Sequence, residues 1–124
     1  MILIIEDDEI MRSLLKTFLL GAGYEVMSTV DGIEGVDAYE TNKRNIQLVV
    51  SDLQMPNLNG VGAFRKIKAM NPDVKVIFVS GYIDPHLQRQ LQSEGVQKFI
   101  RKPYNPDEIL GAVREALGRP PELC

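Results

Sequence analysis

The residues able to do chemistry in this chain gather just after its apolar runs. Glu6, Asp7 and Asp8 follow the run 2–5, and Asp52 follows 48–51. Ser80 closes the run 74–80 with Gly81 next to it, and Lys102 and Pro103 follow 98–101. Two carboxylates about 4 Å apart repel by roughly 4 kcal/mol at an effective dielectric near 20, so acids drawn together need a proton or a cation. Hard oxygen donors with no histidine or cysteine beside them suit Mg²⁺. That ion binds a few carboxylates, keeps several waters and leaves room for phosphate oxygens. A lysine on the same edge would balance the charge of a bound phosphoryl group, and a serine hydroxyl would donate a hydrogen bond to it. The chemistry suggested by this set is phosphoryl transfer to a carboxylate. Acids after strands also cap helices, and capping is the expected role of Asp8 and Asp31. Asp52 differs, because it precedes a Pro-Asn-Leu-Asn-Gly loop rather than a helix start.

The elements that must position these groups are legible in the pattern. Five short apolar runs lie at 2–5, 24–29, 48–51, 74–80 and 98–101. Within them, 2–5, 48–50 and 76–79 are continuous rather than alternating, as in strands covered by helices on both faces. Between the runs, helical spacing links Ile10, Leu14, Leu15, Phe18 and Leu19, then Ile33, Val36 and Tyr39, then Val61, Phe64 and Ile67. Leu87 with Leu91, and Ile109, Leu110, Val113 and Leu117, complete the series. Asp31 and Glu34 have capping-box spacing, as do Asn105 and Glu108, while Asp84-Pro85 and Asn105-Pro106 set a capping side chain before a first-turn proline. Gly21, Gly95 and Gly118 stand where helices should stop. Strand and helix therefore alternate five times, which predicts a parallel sheet with right-handed crossovers. Sheets of that kind bind ligands beyond the carboxyl ends of their strands, where the acids, serine and lysine sit.

Composition sets the bounds. The 124 residues are 44% hydrophobic and 25% charged, the balance of one globular domain rather than of a disordered chain. The net charge of −3 offers no basic surface in bulk, so direct nucleic-acid binding is not expected. One cysteine, Cys124, cannot form an internal disulfide, and the run 2–5 is too short for a signal core or a membrane span. A cytoplasmic location is expected. Residues 1–118 read as one domain, and 119–124, with Pro120-Pro121, as a tail or linker.

Four blocks together carry a specific resemblance: Ile4-Ile5-Glu6-Asp7-Asp8, Ser51-Asp52-Leu53-Gln54-Met55-Pro56 with Gly60, Val79-Ser80-Gly81, and Lys102-Pro103-Tyr104. In order and spacing the chain resembles the receiver domain of two-component response regulators, over residues 2 to about 117. The resemblance implies a flavodoxin-like (βα)5 fold, a three-layer sandwich around a five-stranded parallel sheet in the order 2-1-3-4-5. It implies that Asp52 is the phosphoacceptor and that Mg²⁺ is held by Asp7, Asp52 and the Gln54 backbone carbonyl, with Glu6 acting through water. Ser80 matches the hydroxyl that follows the phosphoryl group and Lys102 the lysine that pairs with it, ahead of a cis proline at 103. Phe99 matches the aromatic switch position. The implied partners are a sensor histidine kinase or phosphotransfer protein. The surface of the fourth helix, fifth strand and fifth helix, including Gln88, Lys98, Arg101 and residues near Tyr104, becomes a site for homodimerisation or output contact. Glu6 stands where an Asp is often found, and Gln54 and Tyr82 occupy positions that resemble those tuning phosphoryl lifetime.

Other signals carry less. Gly21-Ala22-Gly23 begins like a dinucleotide fingerprint but follows a helix and lacks the third glycine, and no Walker-type loop is present. His86 falls in an expected exposed first turn. Met11, Leu58 and Val61 fit a docking surface or the core equally well. An aspartyl-phosphate enzyme of the haloacid-dehalogenase kind would need an Asp-x-Asp motif after the first strand and a cap domain; Glu6-x-Asp8 is the nearest match and no residues remain for a cap. A pseudo-receiver that only binds partners would normally lack one of the acidic or lysine positions, and none is missing.

Overall fold

The computed structural model describes residues 1–54 and 59–118. The expected alternation is present: β1 (Ile2–Ile5), α1 (Glu9–Gly21), β2 (Val26–Thr29), α2 (Gly32–Asn42), β3 (Leu48–Asp52), α3 (Gly60–Met70), β4 (Val76–Ser80), α4 (Pro85–Ser93), β5 (Lys98–Arg101) and α5 (Pro106–Leu117). The five strands are parallel, in the order β2-β1-β3-β4-β5. The resemblance implied this order; periodicity alone does not give it. Part of 24–29 and of 74–80 proves to be loop leading into β2 and β4. Met55, Pro56 and Leu58, and the tail 119–124, lie outside the described residues.

The sheet separates two apolar layers because side chains alternate along each strand. Ile2, Ile4, Leu48, Val50, Ile77 and Val79 face α1 and α5, against Leu15, Leu19, Ile109 and Val113. Leu3, Ile5, Val49, Val76 and Phe78 face the other helices, against Tyr39, Phe64, Ile67 and Leu91. The three inner strands are buried on both sides, which is why their runs are continuous.

Two apolar stripes are narrower than the spacing predicts. Ile10 is 72% exposed and Leu14 44%, while Leu15 and Leu19 are buried. At about 100° per residue, Ile10 and Leu14 point roughly 140° and 100° away from Leu15, off the face that meets the sheet. Ile33, 53% exposed, is likewise turned away from buried Tyr39.

The helix starts are capped by side chains. Asp8, Asp31, Asn59, Asp84 and Asn105 each accept a first-turn backbone N–H, and Asn105 with Glu108 forms a complete capping box. Gly118 takes the left-handed conformation that ends α5. Near the start it is Gly23, not Gly21, that has a positive φ, after Ala22 closes α1.

Gly60 matters for a different reason. It opens α3 directly against the end of β3, and its N–H donates to the Leu53 carbonyl at 2.8 Å. A Cβ there would run into the Asp52 carbonyl oxygen and stand 2.8 Å from Leu53 Cα, both backbone atoms that cannot rotate aside. Gly111 in α5 has open space around the same position. Gly60→Ala is therefore expected to destabilise the fold by about 1–3 kcal/mol. Gly111→Ala should stabilise it by up to about 1 kcal/mol through helix propensity. Urea unfolding midpoints of the two variants check this contrast.

Candidate functional site

Strand register brings the chemical residues to one edge. Ile5 pairs with Ser51, Asp52 with Val79, and Ser80 with Arg101, so the strands end nearly level. Pairing runs one residue further at three places: the Glu6 N–H reaches the Thr29 carbonyl (3.1 Å), the Leu53 N–H the Val79 carbonyl (3.3 Å), and the Lys102 N–H the Ser80 carbonyl (2.8 Å). Glu6 and Lys102 are thereby carried just past the sheet, on either side of Asp52.

The lysine bridges the acids. Lys102 Nζ lies 2.7 Å from Glu6 Oε1 and 3.1 Å from Asp52 Oδ2. Carboxylate oxygens of Glu6, Asp7 and Asp52 lie within 4.8 Å of one another, Glu6 and Asp52 buried and Asp7 exposed. Glu6 Oε2 also accepts the Asp8 N–H at 3.2 Å. Asp8 itself caps α1, accepting the Met11 N–H at 3.0 Å, as expected. The donor set is three hard carboxylates with no nitrogen or sulfur ligand, which fits a cation of the Mg²⁺ type.

Burial is the main force on Glu6. It pushes this carboxyl up to about 7, helped by the negative charge of Asp52 and opposed by the hydrogen bonds from Lys102 and the Asp8 N–H. Burial alone would lower Lys102, but its hydrogen bond to Glu6 and the charges of Asp52 and Glu6 outweigh that and raise it. The lysine is thus a fixed positive charge among the acids.

The other expected residues are differently engaged. The Gln54 backbone N–H donates to Asp52 Oδ1 at 3.3 Å. Ser80 is buried, and its hydroxyl donates to the Tyr82 carbonyl at 2.8 Å. Tyr82 is exposed, and the space beside Gly81 is open. Phe99 is half-buried and stacks on Phe78, with centroids 5.9 Å apart and an interplanar angle of 29°. The Lys102-Pro103 peptide is cis, as the resemblance implied.

Two neighbours were missed by sequence reasoning. Arg12 donates from Nη1 to the Glu6 carbonyl at 2.9 Å. Tyr104 has a buried hydroxyl without a hydrogen-bond partner among the described residues, and burial together with the nearby Glu6 charge pushes it up to about 12. Lys102-Pro103-Tyr104 was visible as a motif, but nothing in it signals where the phenol sits.

The chain matches the model of the response regulator receiver domain over residues 2–114. It is 32% identical over 115 residues to the chemotaxis protein CheY of Thermotoga maritima, covering 92% of this chain and 94% of that one. It is 31% identical over 116 residues to the sensor kinase CckA of Brucella abortus, covering 94% of this chain but only 12% of that kinase. Among solved structures, the CheX-CheY-BeF3-Mg²⁺ complex from Borrelia burgdorferi superposes with a TM-score of 0.88 at 26% identity, covering 92% of this chain and 86% of that one. Among the described residues, no helix is long and apolar enough to cross a membrane.

The raised Glu6 carboxyl has a definite sign in pH. Its contribution to metal-free stability is full below the ordinary carboxyl value of 4.5 and is lost as pH rises through about 7. A divalent cation favours the carboxylate, so binding below that point must expel a proton. Mg²⁺ should therefore raise the melting temperature more at pH 8 than at pH 6, with affinity differing by roughly tenfold. Thermal melts with and without MgCl2 at the two pH values check it.

Proposed function

The chain belongs to the response regulator receiver family, and from that premise we propose that Asp52 accepts a phosphoryl group from a phosphohistidine. The observation that carries the assignment is the bridge from Lys102 to both Glu6 and Asp52, which sets a fixed cation beside the one buried aspartate of the cluster. In the transfer, an Asp52 carboxylate oxygen forms the new bond to phosphorus as the bond to the donor imidazole nitrogen breaks, and the departing imidazole takes up a proton. Charge accumulates on the phosphoryl oxygens, where Lys102 is within reach to pair with it.

Asp7, Asp52 and the Gln54 carbonyl would hold Mg²⁺, with Glu6 acting through water. When bound, the ion supplies charge neutralisation for the phosphoryl oxygens. Ser80 then exchanges its bond to the Tyr82 carbonyl for one to the phosphoryl group. Space is released next to Phe99, and the ring's motion alters the face of α4, β5 and α5 around Gln88, Lys98, Arg101 and Tyr104. That face serves a homodimer or an output partner. Apolar Ile10 and Leu14, exposed beside the acids on α1, offer contact area for a sensor histidine kinase or phosphotransfer protein. Residues 1–118 form the receiver unit and act in the cytoplasm as a signalling domain rather than an enzyme on other substrates. The open approach beside Gly81 admits water, so slow autodephosphorylation accompanies the switch.

Acetyl phosphate with Mg²⁺ should add one phosphoryl group to the protein, and Asp52→Asn should abolish the addition. Intact-mass spectrometry checks this. Undiminished addition to the variant would move the phosphoacceptor elsewhere.

A further inference from the structure

The three acids of the cluster are not held in the same way. The Glu6 carboxylate is fixed by its own bonds, to Lys102 at 2.7 Å and to the Asp8 N–H at 3.2 Å. Asp52 is fixed by Lys102 at 3.1 Å and the Gln54 N–H at 3.3 Å. Asp7 is exposed, so packing does not set its direction.

Arg12 supplies what packing does not. It is half-buried in the first turn of α1 and folds back over the β1–α1 turn. Its Nη1 donates to the Glu6 carbonyl at 2.9 Å and reaches the Asp7 carbonyl at 3.4 Å. Those two carbonyls belong to the two peptide planes on either side of the Asp7 Cα. Peptides are planar, so each residue has only two soft dihedrals. One guanidinium that holds both flanking planes therefore holds both dihedrals of Asp7, and with them the direction of its Cα–Cβ bond. On the far side, the Glu6 N–H is pinned to the Thr29 carbonyl at 3.1 Å, so the turn cannot rotate as a unit.

We propose that Arg12 is a positioning residue that aims the Asp7 carboxylate at the cation site shared with Glu6 and Asp52. This rests on the reading of Asp7 as a direct metal ligand. The sign of the effect separates positioning from charge. A guanidinium near a divalent cation repels it, so removing Arg12 would tighten metal binding if electrostatics were its only influence. If Arg12 orients a ligand, its removal weakens binding, and groups that orient ligands are typically worth 10–100-fold in metal affinity.

The test is a titration of the full chain with MgCl2, followed by amide chemical shifts, for the wild type, Arg12→Met, Arg12→Gln, Asp7→Asn and the Asp7→Asn/Arg12→Met pair. Arg12→Met is expected to bind Mg²⁺ about tenfold more weakly. Arg12→Gln, which keeps one donor without the charge, should fall between it and the wild type. Loss of Arg12 should add nothing once Asp7 is Asn. Phosphorylation by acetyl phosphate should need more Mg²⁺ in Arg12→Met yet reach the wild-type rate at saturation, which a generally loosened fold would not do. Wild-type or tighter affinity in the Arg12 variants overturns the proposal, and Arg12→Gln alone decides if Arg12→Met does not fold. An Asp7→Asn variant that binds Mg²⁺ normally would instead overturn the ligand reading on which the proposal stands.

Discussion

Lys102 reaches two carboxylates at once, 2.7 Å from Glu6 and 3.1 Å from Asp52, and the charge balance of the acidic sheet edge depends on that contact. Three acids within 4.8 Å would repel strongly in a partly buried pocket. Burial raises one of them, Glu6, so that it holds its proton up to near neutrality, and the lysine offsets one further charge. The site is thus a cluster whose negative charge is kept in check by the lysine. On the proposed function, a bound cation and a phosphoryl group would add charges of both signs here, and Lys102 would be within reach of the phosphoryl oxygens.

That contact joins residues 6 and 102, 96 positions apart, and only the fold brings them together. Parallel pairing sets the ends of β1, β3 and β5 nearly level, and one further hydrogen bond past each end carries Glu6 and Lys102 into reach of Asp52. The same economy appears at Gly60, where α3 begins so close to the Asp52 carbonyl that only a hydrogen fits. Ser80 and Phe99 belong to the same frame but are otherwise engaged, with the Tyr82 carbonyl and the Phe78 ring.

Much of this was legible in the residues. Strands buried on both faces leave continuous apolar runs, so β1, β3 and β4 declared themselves, and Asp8, Asp84 and Asn105 announced the helix starts they cap. The acids, serine and lysine could be placed at one edge because each follows a strand. The strand order and the cis Lys102-Pro103 bond came only with the family resemblance. Spacing at three and four residues could not separate Leu15, which is buried, from Leu14 beside it, because a stripe has a centre that only packing reveals. Arg12 was invisible for another reason: it binds backbone carbonyls, and a carbonyl has no signature in residue type. Ser80's present partner was hidden in the same way.

The most direct test of the central contact is the titration of the Glu6 carboxyl carbon by NMR, in metal-free protein with Lys102 and with Lys102→Met. Burial and the Asp52 charge should place the wild-type midpoint at about 7, and loss of the lysine hydrogen bond should move it higher still. A Glu6 carboxyl that titrates in the ordinary carboxylate range, or one that does not move when Lys102 is replaced, would contradict the account.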